Sequence, residues 1–390
     1  MKVDVSQLSF EFTAKLKEHL QKLIELGGSD LHLKAEAKIR ARINGDIVIL
    51  SDDIFKKQDM ITLAKEVLRG RFGELVEQKQ VDFTFLLNDD YRFRGNLFFQ
   101  KDGVSAVFRV IPTKILTFKD LKFPQIMDKI ADEAHRGIIL VTGATGSGKS
   151  TTLASIIDAI NERHSKHIIT IEDPIEFIHQ DKKSIINQRS LGEDALNFAS
   201  ALKGSLREDP DVILIGEMRD LESMEIALHA AETGHLVLGT LHTTDVTETI
   251  NRIIGMFPVN EQNRIRLTLA SVIQAVISQR LVKDKKGKRR AALEVLVKTE
   301  RISDLIRKER DDEIKMSLED GKDVYGTQTF DQALYDLCKS GDVDEEEALA
   351  NATSPDNLKL RFRGVGSVNS TSDSALRKEE AIIGIKKLDE

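Results

Sequence analysis

Residues 138–157, IILVTGATGSGKSTTLASII, decide the fold of the second half of the chain. Within them, residues 143–150 match the pattern G-x-x-x-x-G-K-[ST], with an apolar strand pattern before and a helix pattern after. Glycines let the backbone N–H groups of such a loop curl around a phosphate, and the positive end of the following helix points at the anion. An ordinary glycine-rich turn is the alternative, and the flanking strand and helix patterns argue against it.

The loop therefore predicts a site for a nucleoside triphosphate, with ATP and Mg²⁺ as ligands. Lys149 is expected to reach the β- and γ-phosphates and Ser150 to bind Mg²⁺. The predicted phosphate-binding residues are Gly143, Ala144, Thr145, Gly146, Ser147, Gly148, Lys149, Ser150 and Thr151.

Composition limits the class of protein. The 390 residues suit two domains, and 41% hydrophobic with 31% charged residues is a soluble globular balance. No long apolar run and no signal-peptide pattern is present, so we predict a cytoplasmic protein. The single cysteine, Cys338, excludes an internal disulfide and a cysteine-rich zinc site. The net charge of −7 disfavours a nucleic-acid partner.

The first part of the chain reads as a small α+β domain over residues 1–112. Apolar residues at helical spacing predict a helix over 11–26, and a hairpin follows with Asn44-Gly45 at its turn. A helical stretch to about Gln78 precedes three strands, with turns at 88–90 and 101–103. Residues 113–136 are predicted to be a linker.

From Gly137 onward, apolar strands alternate with helices, which predicts a parallel sheet with helices on both faces. We expect helix from Val246 to about Leu281, then a charged hairpin, a strand over 291–298 and further helices to about residue 352. The tail over 361–390 is expected to be flexible, with GVGSVNSTSDS as a linker and residues 375–390 as a short peripheral element.

Carboxylates and histidines follow several of these strands. Glu217 ends the strand pattern DVILIGE, at the position where open α/β sheets bind ligands, and is the candidate for orienting the attacking water. A solvated helix-capping acid is the alternative. Glu172, Asp173 and Glu176 cluster after HIITIE, and such a cluster would repel without a metal, water or arginine among them. His242 is a candidate for a γ-phosphate or carboxylate contact; for His229, a packed or capping histidine is the alternative.

Basic residues allow two interpretations. Arg92, Arg94 and Arg109 lie on strands of the first domain, and Arg92 and Arg94 share a sheet face. They form either a solvated basic face or arginines that reach a bound nucleotide. The basic run over 283–290 contains no aromatic residue and is better explained as a solvated hairpin than as a nucleic-acid site.

Together these segments resemble the secretion ATPases of the type II/type IV pilus superfamily over about residues 10–360. The resemblance rests on GATGSGKS as Walker A, ITIEDPIEF as the Asp box, DPDVILIGEMRD as Walker B and AAETGHLVLGTLHT as the His box. SDLHLKAEAKIRARINGDI is similar to the opening of the PilT/PilU retraction branch, with no extra N-terminal domain expected. One cysteine cannot build the four-cysteine zinc module typical of the extension and type II secretion motors. The segment TQTFDQALYDLCKSGDVDEEEALANATSPDNLKLRFRG and the long tail are more similar to PilU.

The resemblance implies a homohexameric ATPase motor that powers pilus retraction, and hence twitching motility, at the cytoplasmic face of the inner membrane. Each protomer would have a PAS-like N-terminal domain and a RecA-like domain over 137–360. The partners implied are an inner-membrane platform protein and a paralogous retraction ATPase. Glu217 would be the catalytic glutamate, with Glu172 supporting it. His229 and His242 would match the His box. The three arginines would face the nucleotide. An accessory retraction ATPase, or an extension or type II secretion ATPase, remains the alternative.

One stretch departs from the resemblance. Where the PilT subgroup carries AIRNLIRE, this chain has RISDLIRK over residues 301–308. Ile302, Leu305, Ile306 and Arg307 are kept, whereas Ser303, Asp304 and Lys308 differ. We expect an unchanged apolar face and a changed polar surface.

Overall fold

The computed structural model describes residues 8–43, 45–88, 91–111, 115–192 and 194–364. Of the tail predicted to be flexible, residues 361 and 362 belong to a helix and 363–364 are also described, whereas the rest lies outside the described residues. Asn44 of the hairpin turn and Asp89 and Asp90 of the next turn also lie outside them. The described chain divides into two compact units. The first contains residues up to Ile115 together with Asp173–His179, and the second contains Leu116–Glu172 and the residues from Gln180 onward.

The first unit is a six-stranded antiparallel sheet with helices on one face. Its sheet order is β3-β2-β1-β6-β5-β4. The strands are β1 Asp30–Lys34, β2 Lys38–Ile43, β3 Asp46–Ile54, β4 Gln80–Leu86, β5 Arg92–Gln100 and β6 Gly103–Ile111; the helices are α1 Glu11–Glu25, α2 Lys57–Leu68 and α3 Phe72–Gln78. Alternate residues such as Leu31, Phe93 and Phe108 share one core with Leu16 and Leu20 of α1. The predicted pairing of β2 with β3 as a hairpin is confirmed.

The second unit is built on a seven-stranded sheet in the order β13-β12-β7-β11-β10-β8-β9. Its strands are β7 Gly137–Thr142, β8 His167–Glu172, β9 Ile185–Ser190, β10 Val212–Ile215, β11 Leu236–Leu241, β12 Ile273–Lys283 and β13 Arg289–Val297. All neighbouring pairs are parallel except β12 with β13. Every residue of β7 and β11 is buried, as expected for strands covered on both faces.

Helices cover both faces of this sheet, which confirms the mixed α/β class. They are α4 Phe118–Leu121, α5 Ile126–Glu133, α6 Lys149–Arg163, α7 Phe198–Ser205, α8 Leu221–Glu232, α9 Val246–Gly255 and α10 Val259–Val272. One apolar core lies on the α6 side of the sheet and another on the α8 and α9 side. Within residues 113–136, predicted as a linker, Ile126, Met127 and Ile130 of α5 are buried in the core on the α6 side.

The C-terminal part is helical. It contains α11 Glu300–Arg307, α12 Ile314–Asp320, α13 Lys322–Tyr325, α14 Phe330–Lys339, α15 Glu345–Asn351 and α16 Pro355–Phe362. Within the described residues, no helix is both long enough and apolar enough to span a bilayer.

The structure corrects two expectations. The predicted helix from Val246 to Leu281 is wrong after Val272, because Ile273–Lys283 is strand β12. The β-branched residues Ile273, Val276 and Ile277 favour a strand, but they directly continue the apolar pattern of α10. Ser303 of α11 does not belong to a polar surface: it is fully buried, and its hydroxyl has no hydrogen-bond partner in the described chain.

Candidate nucleotide-binding site

The parallel strands of the second unit end at one edge of the sheet. β7 and β11 are paired in register up to Thr142 and Leu241, and β10 pairs with both β11 and β8. The phosphate loop follows β7, Glu217 follows β10 and His242 follows β11, while Glu172 is the last residue of β8. The predicted site residues of this unit therefore meet at the carboxyl edge, with one exception described below.

The phosphate loop has the geometry of an anion cradle. Gly143, Gly146 and Gly148 have φ values of 143°, 78° and 91°, a region that side chains rarely adopt. α6 begins at Lys149, and its N-cap residue Gly148 supplies no capping side chain. Helix α8, by contrast, is capped by Asp220. The N-cap residue of α6 therefore offers no side-chain acceptor of its own, which leaves room for a phosphate at this helix end.

Lys149 lies along the same loop. Its Nζ donates to the carbonyl oxygens of Gly143, at 2.8 Å, and of Ala144, at 3.1 Å. Ser150 is the second residue of α6 and is partly exposed. An ammonium and a hydroxyl at the end of a helix are the groups that a Mg²⁺-bound triphosphate needs. In the described part of the chain, no group of three or more His, Cys, Asp or Glu side chains is arranged to hold a metal ion.

Sequence reasoning missed Gln279 on β12. This buried side chain donates from Nε2 to the carbonyl oxygen of Ser147, and its Oε1 accepts from Thr152 Oγ1 at 2.8 Å. It bridges the end of the phosphate loop and the first turn of α6. No local signal marks this residue, and its segment was expected to be helical.

A buried chain of hydroxyl groups lies under the same edge. Ser278 Oγ is 2.8 Å from Thr142 Oγ1, Thr249 Oγ1 is 3.4 Å from Thr142 Oγ1, and Thr243 Oγ1 is 2.6 Å from Thr249 Oγ1. These contacts join β12, β7, α9 and the loop that carries His242. Because each hydroxyl is buried and paired, they fix the relative positions of these elements.

Glu217 is held between two basic side chains. Its Oε2 is 3.4 Å from His242 Nε2, and its Oε1 pairs with Arg219, a residue that sequence reasoning did not single out. The backbone below it is fixed, because Gly216 N donates to Ile171 O at 2.8 Å and Thr240 Oγ1 donates to Gly216 O at 2.5 Å. The carboxylate is 24% exposed, which leaves it open to water at the edge of the sheet.

The charge state of His242 follows from its surroundings. Partial burial, together with the positive charges of Lys149 and Arg219, lowers its pKa below the ordinary value of 6.5. The imidazole is therefore neutral at pH 7 and can exchange a hydrogen bond with Glu217 without carrying charge.

Glu172 lies at the end of β8 and accepts from Thr170 Oγ1 at 2.7 Å and from Gln188 Nε2 at 3.3 Å. These neutral donors orient one of its oxygens. Asp173 and Glu176 belong to the segment that clusters with the first unit.

His229 is the exception to this grouping. It is exposed in the last turn of α8, before β11, whereas His242 follows β11. A six-residue strand spans about 17–20 Å, so the two histidines lie at opposite edges of the sheet. In the described chain, the imidazole of His229 makes no hydrogen bond. The structure thus brings His242, but not His229, to Glu217.

The three arginines of the first unit lie on β5 and β6. Arg94 and Arg109 are direct cross-strand partners and so share one face of that sheet, on which Arg92 also lies. Arg109 Nε donates to Asp30 at 2.7 Å, and its side chain is 70% exposed. The basic run over 283–290 spans the end of β12, the turn and the start of β13, and Lys285 and Arg290 lie 3.5 Å and 4.0 Å from Asp344 and Asp342.

A cavity of about 510 Å³ opens beside the start of α6. Thr151, Thr152 and Gln279 line it on the side of the phosphate loop, and Leu116, Phe123 and Leu281 provide apolar surface. Its volume is in the range of small-molecule sites.

Fold and site together define a P-loop ATPase with a RecA-like domain, an N-terminal domain and a helical C-terminal part. The family model described as "Type II/IV secretion system protein" matches residues 10–324, and the chain belongs to this family.

Comparisons with individual relatives support the same family. The chain is 43% identical over 336 residues to the "Type IV pilus retractation ATPase PilT" of Pseudomonas aeruginosa, covering 85% of this chain and 96% of that protein. It is 39% identical over 346 residues to the "Type IV pilus ATPase PilU" of the same organism, covering 88% and 90%. The crystal structure of "the Pilus Retraction Motor PilT and Bound ADP" superposes with a TM-score of 0.83 at 44% identity, covering 88% of this chain and 98% of that one. The chain is an ATPase that uses a nucleotide.

Proposed function

We propose that this chain is a motor that hydrolyses ATP to power retraction of a type IV pilus. The observation that carries the proposal is the 43% identity to PilT along nearly the whole length of that relative. The intact phosphate loop and the Glu217–His242 pair support it, because a motor needs both binding and hydrolysis.

The site residues take the following roles in this proposal. Lys149 and the loop N–H groups hold the phosphates, Ser150 binds Mg²⁺, and the cavity beside Thr151 and Gln279 receives the nucleoside. Glu217 orients the attacking water, with His242 as its neutral hydrogen-bond partner. Glu172 assists as a further acceptor at the same edge. Arg92, Arg94 and Arg109 stabilise phosphate charge. His229, exposed at the far edge of the sheet, takes no part in hydrolysis in this proposal.

We further propose the assembly and location that go with this activity. Six copies form a ring at the cytoplasmic face of the inner membrane, where they act on the platform protein of the pilus. Residues 1–112 form a PAS-like domain, 113–136 the connection and 137–360 the RecA-like motor domain. Nucleic acid is not a partner.

The second candidate is an accessory retraction ATPase that acts with a principal motor. The 39% identity to PilU over 90% of that relative favours it. In this role, attachment of the ring matters more than its own hydrolysis.

The experiment that tests the proposal compares deletion of the gene with a Lys149→Ala allele in the native host, scoring surface pili and retraction events by fluorescence microscopy. A principal motor predicts excess pili that do not retract in both strains. An accessory role predicts normal pilus numbers with weakened retraction under load in the deletion strain and near-normal retraction with Lys149→Ala. Loss of all surface pili in the deletion strain would overturn retraction in favour of extension.

A further inference from the structure

Gln279 occupies an unusual place for a glutamine. It lies in the middle of the buried strand β12 and is only 2% exposed. Both ends of its amide are used, with Nε2 donating to Ser147 O and Oε1 accepting from Thr152 Oγ1. A buried amide is costly without such partners, and an apolar residue would suit a strand interior better. The two contacts therefore explain why a polar residue is present.

The phosphate loop is packed directly against this residue. A Cβ atom added to Gly148 would lie 3.0 Å from Gln279 Nε2, and one added to Gly143 would lie 2.6 Å from the Gln279 carbonyl oxygen. At Gly143 and at Gly148 the loop therefore lies so close to Gln279 that a residue with a side chain would be crowded there. Because the loop and residue 279 are in direct contact, a change in the side chain at 279 should alter the conformation of the loop.

The strand itself is anchored from its other face. Ser278 and Arg280, on the face opposite Gln279, both have partners. Ser278 bonds Thr142 at 2.8 Å, and Arg280 Nη1 donates to Asn351 O at 2.7 Å, while its guanidinium lies 3.9 Å from the Phe330 ring centre. Gln279 is therefore presented to the loop from a fixed backbone.

We propose that Gln279 is a positioning residue of the nucleotide site, which sets the orientation of the peptide between Ser147 and Gly148. In a trans peptide the C=O and the following N–H point in opposite directions. Holding Ser147 O toward Gln279 turns the Gly148 N–H the other way, into the loop where the phosphates bind. Without this contact, the peptide can rotate and present a carbonyl oxygen to the anion, so that binding weakens.

The inference rests on the proposed nucleotide site but not on the pilus. Its test uses the full-length purified protein and three variants. Gln279→Glu keeps the shape and the acceptor while removing the donor. Thr152→Val removes the second contact, together with a longer bond of 3.3 Å from the same hydroxyl to Gly148 O. Gln274→Leu is the matched control, because Gln274 is on the same strand at the opposite edge of the sheet. The measurements are KM and kcat for ATP, calorimetric affinity for MgADP, and the thermal midpoint.

Gln279→Glu is expected to raise KM and the Kd for MgADP about tenfold or more, because one charge-assisted contact to the phosphates is lost and a negative charge is added. kcat should fall less than about threefold, since the hydrolytic residues stay in place. Thr152→Val should raise KM about threefold, and Gln274→Leu should leave all values unchanged.

Three results would overturn the inference: unchanged KM and Kd in folded Gln279→Glu protein, a fall in kcat alone, or an equal loss in Gln274→Leu. If Gln279→Glu does not fold, an unchanged KM in Thr152→Val decides against it. Wild-type protein that neither binds MgADP nor hydrolyses ATP would instead reject the proposed function.

Discussion

His242 Nε2 lies 3.4 Å from one oxygen of Glu217, and Arg219 pairs with the other oxygen. A carboxylate held in this way has a fixed orientation at the edge where the phosphate loop also ends. Since the histidine is neutral and the arginine is 72% exposed, neither contact withdraws Glu217 from water. The carboxylate can therefore act on a water molecule next to a bound phosphate.

The first prediction concerns Glu217 itself. Glu217→Gln keeps the shape but removes the negative charge and the basic oxygen that deprotonates water, so kcat should fall at least about 100-fold. Affinity for MgADP should stay within about threefold, because the phosphate-binding groups are untouched. Glu222→Gln, an exposed change in the first turn of α8, is the control and should retain activity. Near wild-type turnover in Glu217→Gln would assign hydrolysis to another carboxylate.

The second prediction concerns the titration of His242. Burial, Lys149 and Arg219 lower its pKa, so at a given pH the imidazole is less protonated than an ordinary histidine. Removing one of the two positive charges with Arg219→Gln should raise the pKa toward the ordinary value, while Arg207→Gln, at an exposed site elsewhere, should leave it unchanged. NMR titration of the imidazole Cε1–H resonance measures the shift. A downward shift in Arg219→Gln would contradict the assignment of causes.

How much of this site the sequence predicts depends on the range of the interactions involved. The phosphate loop and Glu217 are predictable because each follows an apolar strand, and parallel strands place their carboxyl ends at one edge. Gln279 is not, because it reaches the loop only through the parallel pairing of β12 with β7, which lies more than a hundred residues earlier in the chain. The two histidines show the same difficulty. The sequence offers both His229 and His242 as candidates, but strand β11 between them places only His242 near Glu217.

The third prediction concerns a buried ion pair in the helical part. Arg266 Nη1 lies 2.8 Å from both carboxylate oxygens of Asp311 and also donates to Ile306 O at 3.0 Å, joining α10 to the end of α11. Asp311→Ala leaves the buried guanidinium with only the exposed carboxylate of Glu309 nearby and should cost about 3–5 kcal/mol of unfolding free energy.

Urea denaturation followed by circular dichroism measures this loss. The matched control is Glu309→Ala, which removes a 70% exposed carboxylate 3.8 Å from the same arginine and should cost less than about 1 kcal/mol. Equal losses in the two variants would indicate that the Asp311 pair contributes no more than a surface contact.

The last prediction concerns the buried carboxyl of Glu294 on β13, a residue that is 6% exposed. Burial and, next, the negative charge of Asp245 raise its pKa from 4.5 to about 8, against the opposing effect of Arg280 and Lys315. Between these two values the folded protein keeps a proton that the unfolded chain has released. The unfolded state then binds fewer protons, so the free energy of unfolding falls as pH rises from about 4.5 to about 8.

Glu294→Gln removes this titration while keeping the size of the side chain and an acceptor for the Val246 N–H. Relative to wild type, the variant should gain stability steadily with pH, reaching a few kcal/mol near pH 8, because each pKa unit corresponds to about 1.4 kcal/mol. Urea unfolding of both proteins at about pH 5 and about pH 8 measures the difference, with the exposed change Glu225→Gln as control. Parallel pH profiles for wild type and Glu294→Gln would mean that Glu294 ionises in the folded protein as readily as in the unfolded chain. Glu294 lies beside the N-terminus of α9, the helix that follows the His242 loop. In that case its titration would not make the stability of this part of the protein depend on pH.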